Sequence, residues 1–292
     1  MLDLSIIIVN WNVSDYLDRC LRSIEENVRG VTYEVIVVDN ASDDGSVAMV
    51  SEKHTDVAVI ANRSNAGFCR GNNQGLEASQ GENFILLNPD TEVRSGAMEA
   101  MVKFLREHPG VGVVGPKILS PDDLYMPNGS MFPSVWRELY RSFGFHHLIK
   151  QRYERDEFGR DDLDVEAEVD VVCGACLMGR RKVFEKIGGL DEKLFMYFDE
   201  TDFCRRVKEA GWKVWYVPEA RIFHHWMKSV RRDYIAAARR MSRSRYLYFK
   251  KHHGILAAMV LRLLNQPVVE FQCARIKAVQ LRDRVLRRGA GA

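Results

Sequence analysis

Three short polar runs, each directly after a stretch of apolar residues, hold the groups best able to do chemistry: Asn10-Trp11-Asn12, Asp39-Asn40-Ala41-Ser42 and Asn88-Pro89-Asp90-Thr91. A carboxylate in such a place can accept from a nucleobase N–H or ribose hydroxyls, or hold a divalent cation through hard oxygen ligands. Any one run could merely start a turn, since Asp and Asn do so readily; three together point to a shared ligand site. Between the second and third lies Asn62-Arg63-Ser64-Asn65-Ala66-Gly67-Phe68-Cys69-Arg70-Gly71-Asn72-Asn73. Its glycines permit close backbone approach to a ligand, its arginines could pair with phosphate, and the helix predicted after it presents an N-terminus that favours anions. The stretch does not match G-x-G-x-x-G, and G-x-x-x-x-G-K-S/T occurs nowhere, so a dinucleotide dehydrogenase and a P-loop NTPase both lose support. The nucleotide-binding set read from these runs is Asn10, Asp39, Arg63, Asn65, Gly67 and Asn72.

Two further centres follow. Tyr197-Phe198-Asp199-Glu200-Thr201-Asp202-Phe203 sets two adjacent carboxylates beside aromatics just before a predicted helix. Burial and like-charge proximity can raise one pKa into the range useful to a general base. A helix N-cap, Asp202 or a neighbour, is the structural alternative. Both can hold, with Asp202 structural while Asp199 or Glu200 does chemistry. In Phe223-His224-His225-Trp226 the two histidines alternate faces of a predicted strand, so at most one should point into the site. With Asp90 and phosphate oxygens, that histidine would make an Mg²⁺ or Mn²⁺ site.

These groups need a scaffold, and the first 115 residues supply one by alternating strand and helix patterns. Strands are predicted at Ser5–Asn10, Glu34–Asp39, Val57–Ala61, Asn83–Asn88 and Val111–Gly115, and helices at Asp15–Asn27, Ser46–His54, Asn72–Ser79 and Gly96–His108. Short apolar runs bounded by Gly, Asn and Asp and separated by helices predict a parallel α/β sheet, which binds ligands at the carboxyl ends of its strands. The stretch 116–168 is irregular and proline-containing. From Glu154 to Asp170 it holds nine acids and two bases, a solvated loop or an acceptor-facing lid. Beyond it, Val169–Met178, Lys213–Val217 and Ala220–Phe223 read as strands and Arg181–Ile187 and Asp202–Ala210 as helices.

The chain has 292 residues, 46% hydrophobic and 28% charged, with a net charge of +2, which excludes a disordered chain, a collagen-like repeat and a multi-span membrane protein. That small charge hides an asymmetry: residues 231–292 carry 15 Lys and Arg against 3 Asp and Glu, leaving 27 against 37 in the rest. A basic, helical tail interleaved with Tyr234, Tyr246, Tyr248 and Phe249 reads as a membrane-surface element attracted to anionic lipid, or as a solvated helix packed on the body. Nucleic acid is disfavoured because no recognition motif accompanies the charge. Met1-Leu2-Asp3 runs straight into a core strand, as no cleavable signal does. No stretch approaches about 18 apolar residues, since Ile255–Leu264 is broken by Arg262. Cys173-Gly174-Ala175-Cys176 lacks the second pair that a zinc site needs, so it reads as packing thiols in a reducing cytoplasm.

The ordered set IIIVNWN, VIVVDNASDDGS, NRSNAGFCRGNN, ILLNPDTE, GACLMGRR, YFDETDFCRR and ARIFHH resembles the family 2 inverting glycosyltransferases of the GT-A fold, most of all the rhamnosyltransferase-like subgroup. The resemblance spans about residues 3–230. It implies a GT-A domain over 1–230, a Rossmann-like and mostly parallel sheet flanked by helices, with a basic amphipathic extension over 231–292. By the same resemblance Asp39 contacts the donor nucleoside and Asn88-Pro89-Asp90 takes the place of the family's D-x-D. Asp90 is then the metal and diphosphate ligand, and Asn88, which departs from the motif, a further diphosphate or metal contact. Asp199-Glu200 matches the family's Glu-Asp pair with the acids exchanged, so the base falls on Glu200, with Asp199 as the competing assignment. His224 matches the late metal-ligand histidine. The implied activity is metal-assisted direct displacement from a nucleoside-diphosphate sugar onto a saccharide or polyprenyl-diphosphate-linked acceptor, at the cytoplasmic face of a membrane. A nucleotidyltransferase and an inactive, transferase-like membrane-surface module are the competing readings.

Overall fold

A computed structural model describes residues 2–126, 128–142, 164–225 and 234–289. Its centre is β1 (Leu4–Asn10), whose seven residues are all buried. β-Branched side chains favour this pleated, doubly covered position. β1 pairs in parallel with β2 (Tyr33–Asp39) on one side and β4 (Asn83–Leu87) on the other, and β2 pairs in parallel with β3 (Ala58–Ala61). This is the predicted parallel half. Beyond β4 the sheet becomes mixed: β9 (Cys176–Arg180) runs antiparallel between β4 and β6 (Val111–Leu119). Next to β6 comes β10 (Lys213–His224), parallel to it, then β5 (Thr91–Val93), antiparallel to β10. Short β7 (Tyr125–Met126) pairs with β6 and β8 (Ala167–Val169) with β10.

Helices cover both faces. Side chains alternate along β1, so Ile6 and Ile8 join the core under α1 (Ser14–Asn27), α2 (Ser46–Lys53) and α4 (Ala97–Glu107), whereas Ile7 joins the core under α3 (Phe68–Ala78), α6 (Arg181–Ile187) and α7 (Asp199–Glu209). α3 lies unusually close to β1: a Cβ on Gly75 would collide with the Ile7 side chain. α5 (Val135–Ser142) packs against α8 (Tyr234–Gly289), which breaks at Gly254 (φ 86°, ψ 166°) into limbs 234–253 and 255–289. Ser242–Gln266 and Arg239–Glu270 bonds join the limbs as an antiparallel hairpin.

Several expected boundaries move. The third helix begins at Phe68 rather than Asn72 because Gly67 takes φ 90° and stops the chain before it. The strand expected over Val169–Met178 is two strands with a loop between them. The two expected over 213–223 are one, interrupted by a register shift between Val217 and Arg221 where Pro218 cannot donate to the ladder. The acidic run lies outside the described residues up to 163. Its described end is paired onto the body, through Asp170 to Lys208 (2.7 Å) and Glu168 to Lys213 (3.3 Å). The reading that no segment could span a membrane is corrected as well: the helix over Tyr234–Ala278 is long and apolar enough by length and composition. Arg262 and Glu270 are diluted within the longer window.

Candidate active site

Parallel register brings the predicted strand ends together. Asn10 stands opposite Asp39, and Ile8 opposite Leu87, so β1, β2 and β4 release their polar runs at the same end of the sheet. Asp39 is 2% exposed and tightly held. Its Oδ1 accepts from Asn10 Nδ2 (2.8 Å) and Ser42 Oγ (2.6 Å), and its Oδ2 from the Ser42 N–H (2.8 Å). Free lone-pair capacity remains on Oδ2 for a donor group of a ligand. Asn10 Oδ1 is buried without a hydrogen-bond partner among the described residues. Both strand ends turn through left-handed residues, Asn12 (φ 56°) and Ala41 (φ 60°).

The loop after β3 forms one wall. Asn62 and Gln74 exchange two amide hydrogen bonds (2.8 and 2.9 Å), Asn62 also donates to Asn40 Oδ1 (2.9 Å), and Asn40 Nδ2 donates to the Gly67 carbonyl (3.1 Å). Asn65 Oδ1 accepts from the Gly67 N–H (2.9 Å). Of the predicted nucleotide set, Asn10, Asp39 and Gly67 are thus tied into one network, with Asn65 on its exposed side. Arg63 lies exposed on the same loop, and Asn72 is buried with its amide donating to the Phe68 carbonyl inside α3 (3.0 Å).

The metal candidates also meet. β5 pairs antiparallel with β10, placing His224 opposite Thr91, and His224 Nε2 lies 3.1 Å from Asp90 Oδ1, both groups buried. His225 turns the other way onto Glu92 Oε1 (2.7 Å), as strand alternation requires. One carboxylate and one imidazole make a mixed O/N donor pair suited to Mn²⁺ or Mg²⁺, with room in the coordination sphere for diphosphate oxygens. No group of three or more His, Cys, Asp and Glu that could hold a metal occurs among the described residues, so a bound cation would take the rest of its ligands from elsewhere. Asn88 is half-buried; its N–H donates to the Ala175 carbonyl (2.9 Å), and its own carbonyl accepts from Thr91 Oγ1 (2.7 Å).

Asp199 and Glu200 open α7 with their carboxyls close enough to couple. Burial, and then the charge of Asp199, push Glu200 up to about 8; burial pushes Asp199 up as well, to about 6. Two acids that cannot both ionise cheaply share a proton, and such a pair is poised to take another from a hydroxyl. The Cys173–Cys176 loop separates this pair from the metal candidates: a Cβ on Gly174 would meet Glu200 at 3.5 Å, while Ala175 holds Asn88. Its thiols are free, and burial pushes Cys173 up to about 12, as inert packing thiols require.

Asp202 is not the helix cap. Phe198 occupies that position with φ 61° and no side-chain cap bond. Asp202 is fully buried and receives Arg206 Nε (2.9 Å), Lys251 Nζ (2.7 Å) and His252 Nε2 (2.6 Å). Burial alone would raise its pKa, but the bonds from Lys251 and His252 and the Arg206 charge outweigh that and hold it below the ordinary value. Sequence reasoning also missed Phe195. Its carbonyl accepts from the Phe68 N–H (3.0 Å) and its ring presses on Gly67, tying the loop after β3 to the turn before the acid pair. No local pattern announces a contact across more than 120 residues. Gly110, Gly112 and Gly115 do have dinucleotide-turn spacing, but the last two lie within β6, packed on Trp212 and Val172.

The chain is 27% identical to the N-acetylglucosaminyl-diphospho-decaprenol L-rhamnosyltransferase of Mycobacterium tuberculosis over 268 residues, 86% of this chain and 85% of the relative. It is 29% identical to the low-salt glycan biosynthesis hexosyltransferase Agl10 of Haloferax volcanii over 72% of this chain and 62% of that one. Among solved structures, the mannosyltransferase PcManGT of Pyrobaculum calidifontis, in complex with GDP-Man and Mn²⁺, superposes with a TM-score of 0.59 at 19% identity, over 100% of this chain and 82% of that chain. GalNAc-T7 with UDP, GalNAc and Mn²⁺ gives 0.59 at 16% over 77% of this chain, which spans 44% of that transferase. At these identities the structural likeness is one of fold. The profile of glycosyl transferase family 2 matches residues 5–188, and with the GT-A architecture around it the chain belongs to that family and is a glycosyltransferase.

Proposed function

We propose that the protein moves a sugar, with inversion, from a nucleoside-diphosphate donor to a saccharide or polyprenyl-diphosphate-linked acceptor, and that Glu200 is the base. The mycobacterial relative favours rhamnose and a polyprenyl-diphosphate-linked acceptor, with another deoxy or furanose sugar as the alternative donor. The observation that carries the reading is the division of labour between the two acidic centres. One, Asp199–Glu200, is poised for proton transfer; the other, Asp90–His224, is built to face charge.

In the reaction, Glu200 takes the proton from the acceptor hydroxyl as its oxygen attacks the anomeric carbon. The bond from that carbon to the diphosphate breaks on the opposite face, and its electron pair leaves with the nucleoside diphosphate. Asp39 accepts from the nucleoside, held in place by Asn10 and Ser42. The Gly67 backbone lets the donor approach closely, and Arg63 and Asn65 stand at the exposed rim where phosphate would enter. Asp90 and His224, with Asn88 beside them, would hold Mg²⁺ or Mn²⁺, which when bound stabilises negative charge on the leaving diphosphate as a Lewis acid.

The C-terminal hairpin suits residence at the cytoplasmic membrane face. Limb 255–289 exposes Leu256 (78%), Leu263 (71%) and Phe271 (69%), with Met259 and Val260, at helical spacing on one face, and Arg275 and Lys277 follow.

Replacing Glu200 with Gln should cut sugar transfer by about 10²–10⁴-fold while leaving nucleoside-diphosphate binding intact. Donor assays begin with thymidine- and uridine-diphosphate sugars. Retained turnover would move the base to Asp199, and release of pyrophosphate instead of a nucleoside diphosphate would make the protein a nucleotidyltransferase.

A further inference from the structure

The turn that delivers the acid pair is held in an unusual backbone conformation. Six non-glycine residues have positive φ among the described residues, and three fall in four consecutive positions here: Phe195 (56°), Tyr197 (69°) and Phe198 (61°). Bulky L-residues rarely enter this region, so neighbouring contacts must over-determine it.

Those contacts come largely from limb 234–253 of α8. Ser244 is buried, and its hydroxyl lies 2.6 Å from the Leu194 carbonyl and 2.8 Å from that of Met196, so its one proton is shared across the turn. The Arg240 guanidinium lies 5.2 Å from the Phe195 ring centroid. The fully buried Tyr248 ring packs against Phe198 at 5.4 Å, one residue before Asp199. One helical turn further on, Lys251 and His252 grip Asp202, and Lys251 also reaches Asp191 (2.9 Å) at the head of the 3₁₀ turn Glu192–Leu194. The same limb therefore clamps the turn before the acid pair and the helix after it.

We propose that Ser244 and Arg240 are positioning residues for the Asp199–Glu200 pair, which makes the first limb of the C-terminal hairpin part of the catalytic apparatus. They touch no reacting atom; they hold the strained turn that aims the base. The proposal rests on Glu200 or Asp199 being that base. Donor binding is assigned to Asp39 and the Gly67 loop, which meets this turn through Phe195, so affinity should respond far less than kcat.

The test compares Ser244→Ala, Ser244→Thr and Arg240→Ala in the full-length protein. Three readouts are needed: nucleoside-diphosphate release from thymidine- and uridine-diphosphate sugars, calorimetric binding of the free nucleoside diphosphates, and amide hydrogen exchange over residues 195–202. Ser244→Ala should lower kcat about tenfold or more, leave nucleoside-diphosphate affinity within about twofold, and speed exchange over 195–202 about tenfold with global protection retained. Ser244→Thr, which keeps the hydroxyl, should recover most of kcat. Arg240 is exposed, so its alanine variant keeps the test open if Ser244→Ala does not fold; a fall in kcat of about threefold is expected. Wild-type exchange over 195–202 in the folded variants would overturn the clamp, as would kcat and affinity falling together. A wild-type protein that releases no nucleoside diphosphate from these sugars excludes them as donors instead, and the exchange measurement still decides the clamp.

Discussion

Gly67 is the point where the loop proposed to bind nucleotide meets the turn that carries the proposed base, and Gly67→Ala perturbs both at once. Its backbone sits at φ 90°, ψ 167°, a region that is essentially restricted to glycine. Forcing a side chain into it costs about 1–3 kcal/mol. The new Cβ would also lie 2.6 and 2.7 Å from Phe195 Cδ2 and Cε2 and 3.1 Å from Cγ. Ordinary carbon contacts are about 3.5–4.0 Å, so three ring atoms are overlapped by up to about an ångström. The ring has little room to withdraw, because Arg240 lies over it and the Phe195 carbonyl is bound by Phe68. Overpacking of this kind adds about 1–3 kcal/mol. A total near 4 kcal/mol corresponds to a fall in Tm of roughly 8–16 °C for a chain of this size. Calorimetric melting of Gly67→Ala, Phe195→Ala and the double variant would separate the parts. Phe195→Ala should relieve the steric share and leave the backbone share, giving a coupling of about 1–3 kcal/mol. A Tm within about 2 °C of wild type, or a coupling of zero, would refute the contact and the link it makes between donor loop and base.

Because both folded-state pKa values of the acid pair are raised, transfer should gain rate as pH rises through about 6 to 8, where the pair gives up its shared proton; a rate that is flat across this window refutes the pair as base. The stability term has the opposite course: it is present below the ordinary carboxylate range and lost as pH rises through the raised values, so Glu200→Gln should become relatively more stable with increasing pH. Asp202, whose pKa is lowered, contributes stability above about 3.8 that disappears only in stronger acid; Asp202→Asn should cost about 3–5 kcal/mol at neutral pH by leaving Lys251 and Arg206 without their buried partner, measured by urea unfolding. Removing a proposed metal ligand by Asp90→Asn or His224→Ala should reduce the Mn²⁺-dependent gain in nucleoside-diphosphate affinity about tenfold or more, and an unchanged gain in calorimetry would place the cation elsewhere. Leu256→Ser, Leu263→Ser and Phe271→Ser combined should abolish flotation with anionic phosphatidylglycerol vesicles, since each buried apolar side chain supplies about 1.5–3 kcal/mol; wild-type protein that resists alkaline extraction would instead have its helix spanning the bilayer.

The parallel half of the sheet was legible because local pattern and global position agree there: IIIV, VIVV and FILL are buried runs, and each is followed by the polar residues of the candidate site. Asp39, Asp90, His224 and the acid pair stand out as candidates for the same reason, since strand ends and helix starts concentrate function in this class of fold. Asp202 was misread because an acid in a first helical turn has a local explanation, capping, that is indistinguishable in sequence from a tertiary one. Its partners Lys251 and His252 lie some 50 residues away. The bulge in β10 looked like two strands because Pro218 and Glu219 interrupt the apolar pattern, yet pairing with β6 resumes beyond them. Phe195 was invisible altogether, for its role is a close approach to a glycine backbone and leaves no pattern of spacing or charge.

The net charge of +2 conceals two populations of cation in the basic segment, one paired within the protein and one facing solvent. On the first limb, Arg245 is paired with buried Glu138 at 2.8 Å, and Lys251 with Asp191 and Asp202, so part of the acidic surplus of the body is neutralised by the segment that follows it. These pairs are within the protein and are not available to lipid. On the second limb, Arg275 and Lys277 face solvent near the exposed apolar stripe, where attraction to an anionic leaflet is worth about 1 kcal/mol per charge. Truncation at residue 231 would therefore confound two effects: it would strip Asp202 of Lys251 and His252, Glu138 of Arg245 and the 194–198 turn of Ser244, as well as removing the apolar stripe. Loss of activity in a truncated chain would say nothing about the membrane. Substitutions confined to the outer face of the second limb separate the two, and they should release the protein from vesicles while leaving nucleoside-diphosphate binding and the exchange protection of residues 195–202 at wild-type levels.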